Sequence, residues 1–252
     1  MRSIRIFSAA PLTANSQAEL GPGPARHVGQ VLRMQSGQPL TLFDGRGGEY
    51  PAEILSCARD KLRVAVGAHV AHECESPLQL TLWHALCKAT RMDSIVQKAT
   101  ELGAVCIQPV HTERSQIKLN AARAQRKVRH WTEIAIGACE QSGRNRVPVI
   151  ADPVALPRLL PRASHFDRAV MLAPGATNTL ATVALAAGSA VVLTGPEGGF
   201  TAGERAAAAA HGITGVCLGP RVLRTETAPV AALAILQALA GDLGGVDIGA
   251  QR

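Results

Sequence analysis

Two short stretches in the last third of the chain concentrate residue types suited to gripping a small ligand and steering charge. The first is Val191-Val192-Leu193-Thr194-Gly195-Pro196-Glu197-Gly198-Gly199-Phe200-Thr201. An apolar run of strand character enters a glycine-rich loop, and Thr201 stands where the N-cap of a following helix is expected. Glycine lets backbone come close to a ligand and take positive φ, and ligands of open α/β sheets sit beyond the carboxyl ends of the strands. The loop is neither the GxGxxG dinucleotide fingerprint nor a Lys-Ser/Thr phosphate loop. A plain strand-to-helix turn without a ligand accounts for the same glycines.

The second stretch is Val216-Cys217-Leu218-Gly219-Pro220-Arg221-Val222-Leu223-Arg224-Thr225-Glu226-Thr227-Ala228-Pro229. A strand again enters a loop and a helix follows. Capping accounts for the threonines, with Thr225 or Thr227 as N-cap and Glu226 favouring the helix dipole. It does not account for Arg221 and Arg224 beside a helix N-terminus, where positive charge is disfavoured. That mismatch points to an anionic partner or a catalytic need.

Such loops need a sheet to hold them. From residue 78 onward, strand-like segments at 78–85, 105–110, 168–172, 190–193 and 216–218 alternate with helical ones at 92–102, 121–139, 202–211 and 229–239, with Gly103 and Gly212 as stops. The alternation implies an α/β domain with a mostly parallel sheet. Ahead of it, residues 2–7, 39–43, 49–55 and 61–66 read as short strands, 26–33 as a short helix and 21–24 as a loop. Asp44-Gly45-Arg46-Gly47-Gly48 reads as a turn, and the whole suggests a small β-barrel. The polar run His72-Glu73-Cys74-Glu75-Ser76-Pro77 marks the division, so residues 1–74 and 75–252 are expected to form separate domains.

Hydrophobic residues make up 47% and charged residues 18% of the 252, which allows a buried core and argues against disorder. The net charge of +7 suits a polyanionic partner, while 3% aromatics argues against a binding surface of stacked rings. Six cysteines without a CxxC pair suggest neither zinc nor redox motif, but buried free thiols in a reducing cytoplasm. The N-terminus has no apolar core of a signal segment, and the apolar run 228–240 is short for a membrane span. A soluble cytoplasmic protein without a metal is expected. No GxSxG elbow or Ser-His pair supports a hydrolase.

The two loops in this order, GPEGGF and then LGPRVLRTETA, resemble the ribosomal RNA small-subunit methyltransferase E family, of the trefoil-knotted SPOUT class. Three further stretches are similar to the family pattern: HVGQVLRMQSGQPLTLFDGRGGEY from His27, MDSIVQKATELGAVCIQPVHTERSQIKL from Met92 and EIAIGACEQSGRNRVP from Glu133. The resemblance spans nearly the whole chain. It implies an α/β protein with a small N-terminal PUA-like β-barrel, a knotted C-terminal domain and a homodimer. It also implies methyl transfer from S-adenosylmethionine to N3 of one uridine in 16S ribosomal RNA of the small subunit. A knot is beyond pattern reading, since folds are ordinarily unthreaded.

On that resemblance, Thr194, Gly195, Glu197, Gly198 and Gly199 in one loop and Leu218, Gly219, Leu223 and Thr225 in the other hold the donor. Leu172, Leu193, Leu218 and Leu223 form apolar walls about the adenine. Methyl transfer from a sulfonium asks for alignment more than covalent participation. The uridine N3 proton must leave, so Glu226 is the candidate base and Arg224 the candidate cation or phosphate contact. Arg114, Lys118, Gln141 and Arg144 become RNA candidates in the methyltransferase domain. Arg2, Arg5, Arg26, His27 and Arg33 are positive positions in the barrel, each alone also an ordinary surface charge. Gly143 reads as a helix C-cap and His84 as a packing or surface residue. Two other readings stay open: a related knotted enzyme acting on a ribose 2′-hydroxyl, and a non-catalytic RNA-binding protein, which the intact donor loops oppose.

Overall fold

A computed structural model describes residues 4–183 and 188–244. The chain forms two compact units: one runs up to Glu75 and takes in Ile136–Val147, and the other comprises Ser76–Ala135 and the chain from Pro148.

In the first unit, β1 (Arg5–Phe7), β2 (Ser16–Leu20), β3 (Pro39–Phe43), β4 (Tyr50–Cys57) and β5 (Leu62–Val66) make a sheet of order β1-β3-β4-β5-β2. The β1–β3 pair is parallel and the other pairs are antiparallel. Alternation decides which side chains turn inward: Leu62, Val64 and Val66 join Ile6, Leu40, Leu42 and Ile54 in one core, while Arg63 faces out. The expected loop at residues 21–24 is instead the start of helix α1 (Pro22–Arg26). Proline in the first helical turn gives up no hydrogen bond, and its fixed φ suits the helix. A one-turn π-type helix follows over His27–Val31. Strand β2 went unread because it is a polar edge strand with only Leu20 buried.

Residues 136–147 fall in the first unit, although the pattern assigned everything from Glu75 onward to the second domain. Side chains explain the grouping. Phe7 N–H donates to Glu140 at 3.0 Å, Arg5 donates to Asn145 at 2.5 Å, and Asn145 donates to the His72 carbonyl at 2.6 Å.

The second unit holds a fully parallel sheet. Its strands are β6 (Gln79–Ala85), β7 (Ala104–His111), β8 (Val149–Ile150), β10 (Arg168–Leu172), β11 (Asn178–Thr179), β12 (Ser189–Thr194) and β13 (Thr214–Cys217), in the order β11-β13-β10-β12-β6-β7-β8. A further short strand, β9 (Val154–Ala155), pairs with β7. The helices are α2 (Ala89–Glu101), α3 (Ala121–Ser142, of which the part from Ile136 belongs to the first unit), α4 (Leu156–Leu159), α5 (Ala202–Ala210) and α6 (Thr227–Ala240). Central strands buried on both faces read as unbroken apolar runs, as Ala190–Leu193 does. Gly103 ends α2 with φ +80°. Thr201 caps α5 and exchanges bonds with Glu204 in a capping box.

The strand order sets up the site. Strands β13, β10 and β12 are neighbours, with Met171 opposite Leu193 and Leu172 opposite Val216. Their carboxyl ends therefore finish side by side, and the loops that leave them emerge together.

Candidate active site

Those loops enclose a cleft of about 720 Å³, within the range of roughly 300–1,000 Å³ usual for small-molecule sites. Leu172 lines it from the carboxyl end of β10. Thr194 lines it from the carboxyl end of β12, Gly195, Glu197, Gly198 and Gly199 from the loop that follows, and Leu218, Gly219, Leu223, Arg224 and Thr225 from the loop after β13. Leu193 does not. It lies fully buried in the core with Trp83, Met171 and Phe200, because the period of two turns Thr194 and Leu193 to opposite faces.

Two glycines show why the first loop has its composition. A Cβ at Gly195 would sit 3.2 Å from the Phe200 ring. Gly199 adopts φ +63° to close a turn in which its N–H donates to the Pro196 carbonyl at 2.9 Å. Open space surrounds Gly199, so it answers a backbone need rather than a tight fit.

The two loops are joined directly. Thr225 Oγ1 donates to the Gly195 carbonyl at 2.9 Å. This overturns Thr225 or Thr227 as a side-chain cap: the residue before α6 is Glu226, and no side chain caps that end. Glu226 is turned instead to Arg91, whose Nε lies 3.5 Å from its Oε2, while Arg91 Nη1 lies 2.6 Å from Glu197 Oε1. One guanidinium in the first turn of α2 thus faces both loops and lines the cleft. Burial pushes the Glu197 carboxyl up, but backbone hydrogen bonds and Arg91 outweigh it and hold the group below its usual range. Sequence reasoning missed Arg91. The signal was present: a cation in a helix's first turn, the mismatch that had marked Arg221 and Arg224.

Beneath the loop, His84 on β6 is fully buried, its Nδ1 2.5 Å from Thr194 Oγ1. Burial lowers its pKa from 6.5 to about 4, with Glu197 opposing in part. A brace also comes from the loop after β7. Glu204 Oε1 accepts the Glu113 N–H at 2.8 Å, and Arg114 Nη1 donates to the Gly198 carbonyl at 2.8 Å. Arg114 is exposed, as are Lys118, Arg26 and Arg33.

The other expected RNA contacts are distributed differently. Arg2 lies outside the described residues. Arg5 is mostly buried in the first unit, paired with Glu49 and lying over the Phe43 ring. Arg144, only 3% exposed, places Nη2 2.6 Å from Glu75. These two guanidiniums are committed inside the fold, because a buried cation needs a carboxylate partner. Gln141 is exposed, His27 half-buried, and Gly143 takes φ +92° at the end of α3.

The free cysteines also divide: Cys87 and Cys139 are buried with thiols pushed up to about 12 by desolvation, Cys57, Cys106 and Cys217 are half-buried, and Cys74 is exposed. Among the described residues, no cluster of three metal-ligating side chains occurs, and no helix is long and apolar enough to cross a membrane.

Comparison with known proteins agrees with this geometry. Residues 74–237 match an RNA methyltransferase domain family and residues 25–66 an RNA methyltransferase PUA domain family. The ribosomal RNA small subunit methyltransferase E of Bacillus subtilis is 35% identical over 83% of this chain and 85% of its own length. The chain belongs to the ribosomal RNA small subunit methyltransferase E family. The family's protein from Synechocystis is 34% identical over 93% of this chain and 77% of its own length. Among solved structures, the family member from Neisseria gonorrhoeae bound to S-adenosylmethionine superposes with a TM-score of 0.91, at 34% identity over 96% of this chain and 99% of its own. A Legionella pneumophila protein solved with the same cofactor superposes at 0.93, with 39% identity over 96% and 100%. The methyltransferase E fold is thus an α/β methyltransferase domain with a PUA domain.

Proposed function

We propose that this member of the methyltransferase E family transfers a methyl group from S-adenosylmethionine to N3 of a uridine in 16S ribosomal RNA. The observation that carries the reading is the tied pair of loops: Thr225 on Gly195 closes a cleft with apolar walls and a charged mouth made by Arg91, Glu197 and Arg224. The residues fit the donor. Leu172, Leu218 and Leu223 offer apolar contact to an adenine, and the glycine turns bring backbone groups to the cleft.

When bound, the donor supplies an electrophilic methyl on a sulfonium. The protein's part is alignment, water exclusion and charge. Arg224 lines the cleft and is assigned to the uracil anion that forms as the N3 proton leaves. Glu226, adjoining it and facing Arg91, is assigned to accept that proton. An attack by a ribose hydroxyl would call for a stronger base and no stabilised uracil anion.

The wider arrangement belongs to the same proposal. Helix α6 follows β13 yet packs on α2, β6 and β12, on the far side of β10 in the sheet order. That crossing supports the trefoil knot of the SPOUT class, and the closely paired strands of the first unit support a PUA-like barrel. Ile235, Leu239 and Leu243 expose apolar surface on and just after α6, which supports a homodimer through this helix. Arg26, Arg33, Arg114, Lys118 and Gln141 are assigned to RNA, and the enzyme to the cytoplasm. In a strain lacking this gene, nucleoside analysis of 16S RNA is expected to lose 3-methyluridine. The wild-type gene restores it and the Arg224→Ala gene does not; an unchanged nucleoside profile on deletion would overturn the assignment.

A further inference from the structure

We propose that the exposed face of α3 bearing Arg123, Arg126, Lys127 and His130 is a docking surface for the RNA phosphate backbone, separate from the donor cleft. The proposal deepens the RNA methyltransferase reading, on which it rests. Residues at i, i+3, i+4 and i+7 share one helix face. With Leu119 as an apolar patch, these four line a shallow hollow of about 340 Å³. Arg123, Arg126 and His130 are exposed and Lys127 is half-buried.

Several features make this more than solvated charge. From Ala121 to Thr132 the helix has four cations, Arg123, Arg126, Lys127 and Arg129, and no acid until Glu133. Cations in the first turns oppose the helix dipole, and like charges three or four apart repel. The arrangement costs helix stability, so another interaction has to offset it. Among the described residues no ion pair engages Arg123, Arg126 or Lys127. The acid on the neighbouring helix is already used: Asp93 accepts from Trp131 Nε1 at 3.0 Å and sits 3.1 Å from His130 Nε2. The cap is neutral as well. Asn120 accepts the Arg123 N–H at 2.9 Å where aspartate would cap equally well, so no carboxylate enters the hollow. Lys127 Nζ lies 6.0 Å from the Trp131 ring centre, which steadies its stem.

A polyanion with regularly spaced phosphates fits such a stripe. A second copy of the chain does not, because a two-fold interface would set like charges against each other. Contacts of this kind add affinity without base choice, which suits a surface that holds a large RNA while a separate cleft selects the reacting nucleotide.

The test is a nitrocellulose filter-binding titration of protein-free 16S RNA across a salt series, with wild type and the triple variant Arg123→Ala, Arg126→Ala, Lys127→Ala. The variant is expected to bind at least tenfold more weakly at about 0.1 M salt, and its log–log salt slope to be shallower by about 2 to 3 units, from roughly 0.7–0.9 per lost phosphate contact. S-adenosylmethionine affinity by calorimetry should be unchanged, which shows the fold intact. A second variant, Arg123→Lys with Arg126→Lys, should keep most RNA affinity. Equal RNA affinity and slope in wild type and triple variant would overturn the proposal, as would a parallel co-sedimentation with anionic lipid vesicles in which the variant loses vesicle binding but not RNA binding. The assay reads binding alone: if the wild type fails to methylate yet the triple variant loses RNA, the docking surface stands and the catalytic reading falls.

Discussion

Thr225 Oγ1 and the Gly195 carbonyl are 2.9 Å apart, and this one bond ties the loop after β13 to the loop after β12. Thr225 is buried, so no water readily replaces the hydroxyl. Thr225→Val leaves the carbonyl unpaired at a cost of about 1–2 kcal/mol. Calorimetry should show donor affinity falling about five- to thirtyfold, while Thr225→Ser stays near wild type. If valine binds the donor normally, the loop tie is dispensable.

Gly199 separates backbone strain from crowding. Its φ of +63° is costly for a β-branched residue, and its surroundings are open. Gly199→Val should weaken donor binding by about tenfold or more, whereas Gly199→Asn, which tolerates left-handed backbone, should lose much less. Equal losses would mean that a side chain collides with the donor.

Arg91 should matter to turnover. Removing it leaves Glu197 and Glu226 without their shared cation. Arg91→Ala is expected to lower kcat by about a hundredfold, the lower end of what the loss of one preorganised electrostatic contact costs. Arg91→Lys should recover part of it, since lysine restores charge but not the two-point geometry. Steady-state kinetics that leave kcat unchanged in the alanine variant would remove Arg91 from the machinery.

His84 makes acid stability measurable. Its folded pKa of about 4 lies below the unfolded 6.5. Between these values the unfolded chain binds a proton that the folded chain refuses, so stability falls as pH drops from 6.5 towards 4. The loss approaches ~3 kcal/mol across that window, at ~1.4 kcal/mol per unit. Urea titrations at pH 7 and pH 4.5 should show a smaller acid loss for His84→Gln than for wild type. Identical losses would show that other groups carry the acid sensitivity.

What the sequence made legible was local. Glycine stops at Gly103 and Gly143, the Thr201 cap and the two loops all rest on neighbours a few residues apart. What it hid was either non-local or masked by burial. Arg144 looked like a surface cation because its carboxylate, Glu75, is 69 residues away. Leu193 looked like a cleft wall because a strand buried on both faces shows no alternation to separate it from Thr194. Arg91 escaped notice because its two carboxylates come from loops more than a hundred residues further on. Residues 136–142 continue the helical pattern of α3 without a break, so nothing local reveals that they, and the loop after them as far as Val147, group with the first unit.

Methyl transfer to uracil N3 can be read directly by isotope labelling. Purified protein is incubated with small ribosomal subunits from a strain lacking this gene and with S-adenosylmethionine carrying a deuterated methyl group. The 16S RNA is then digested to nucleosides for mass spectrometry. Deuterated 3-methyluridine at about one per RNA is expected with wild type, and a loss of a hundredfold or more in initial rate with Arg224→Ala. Label on a ribose 2′-hydroxyl, or on no RNA nucleoside at all, would contradict it.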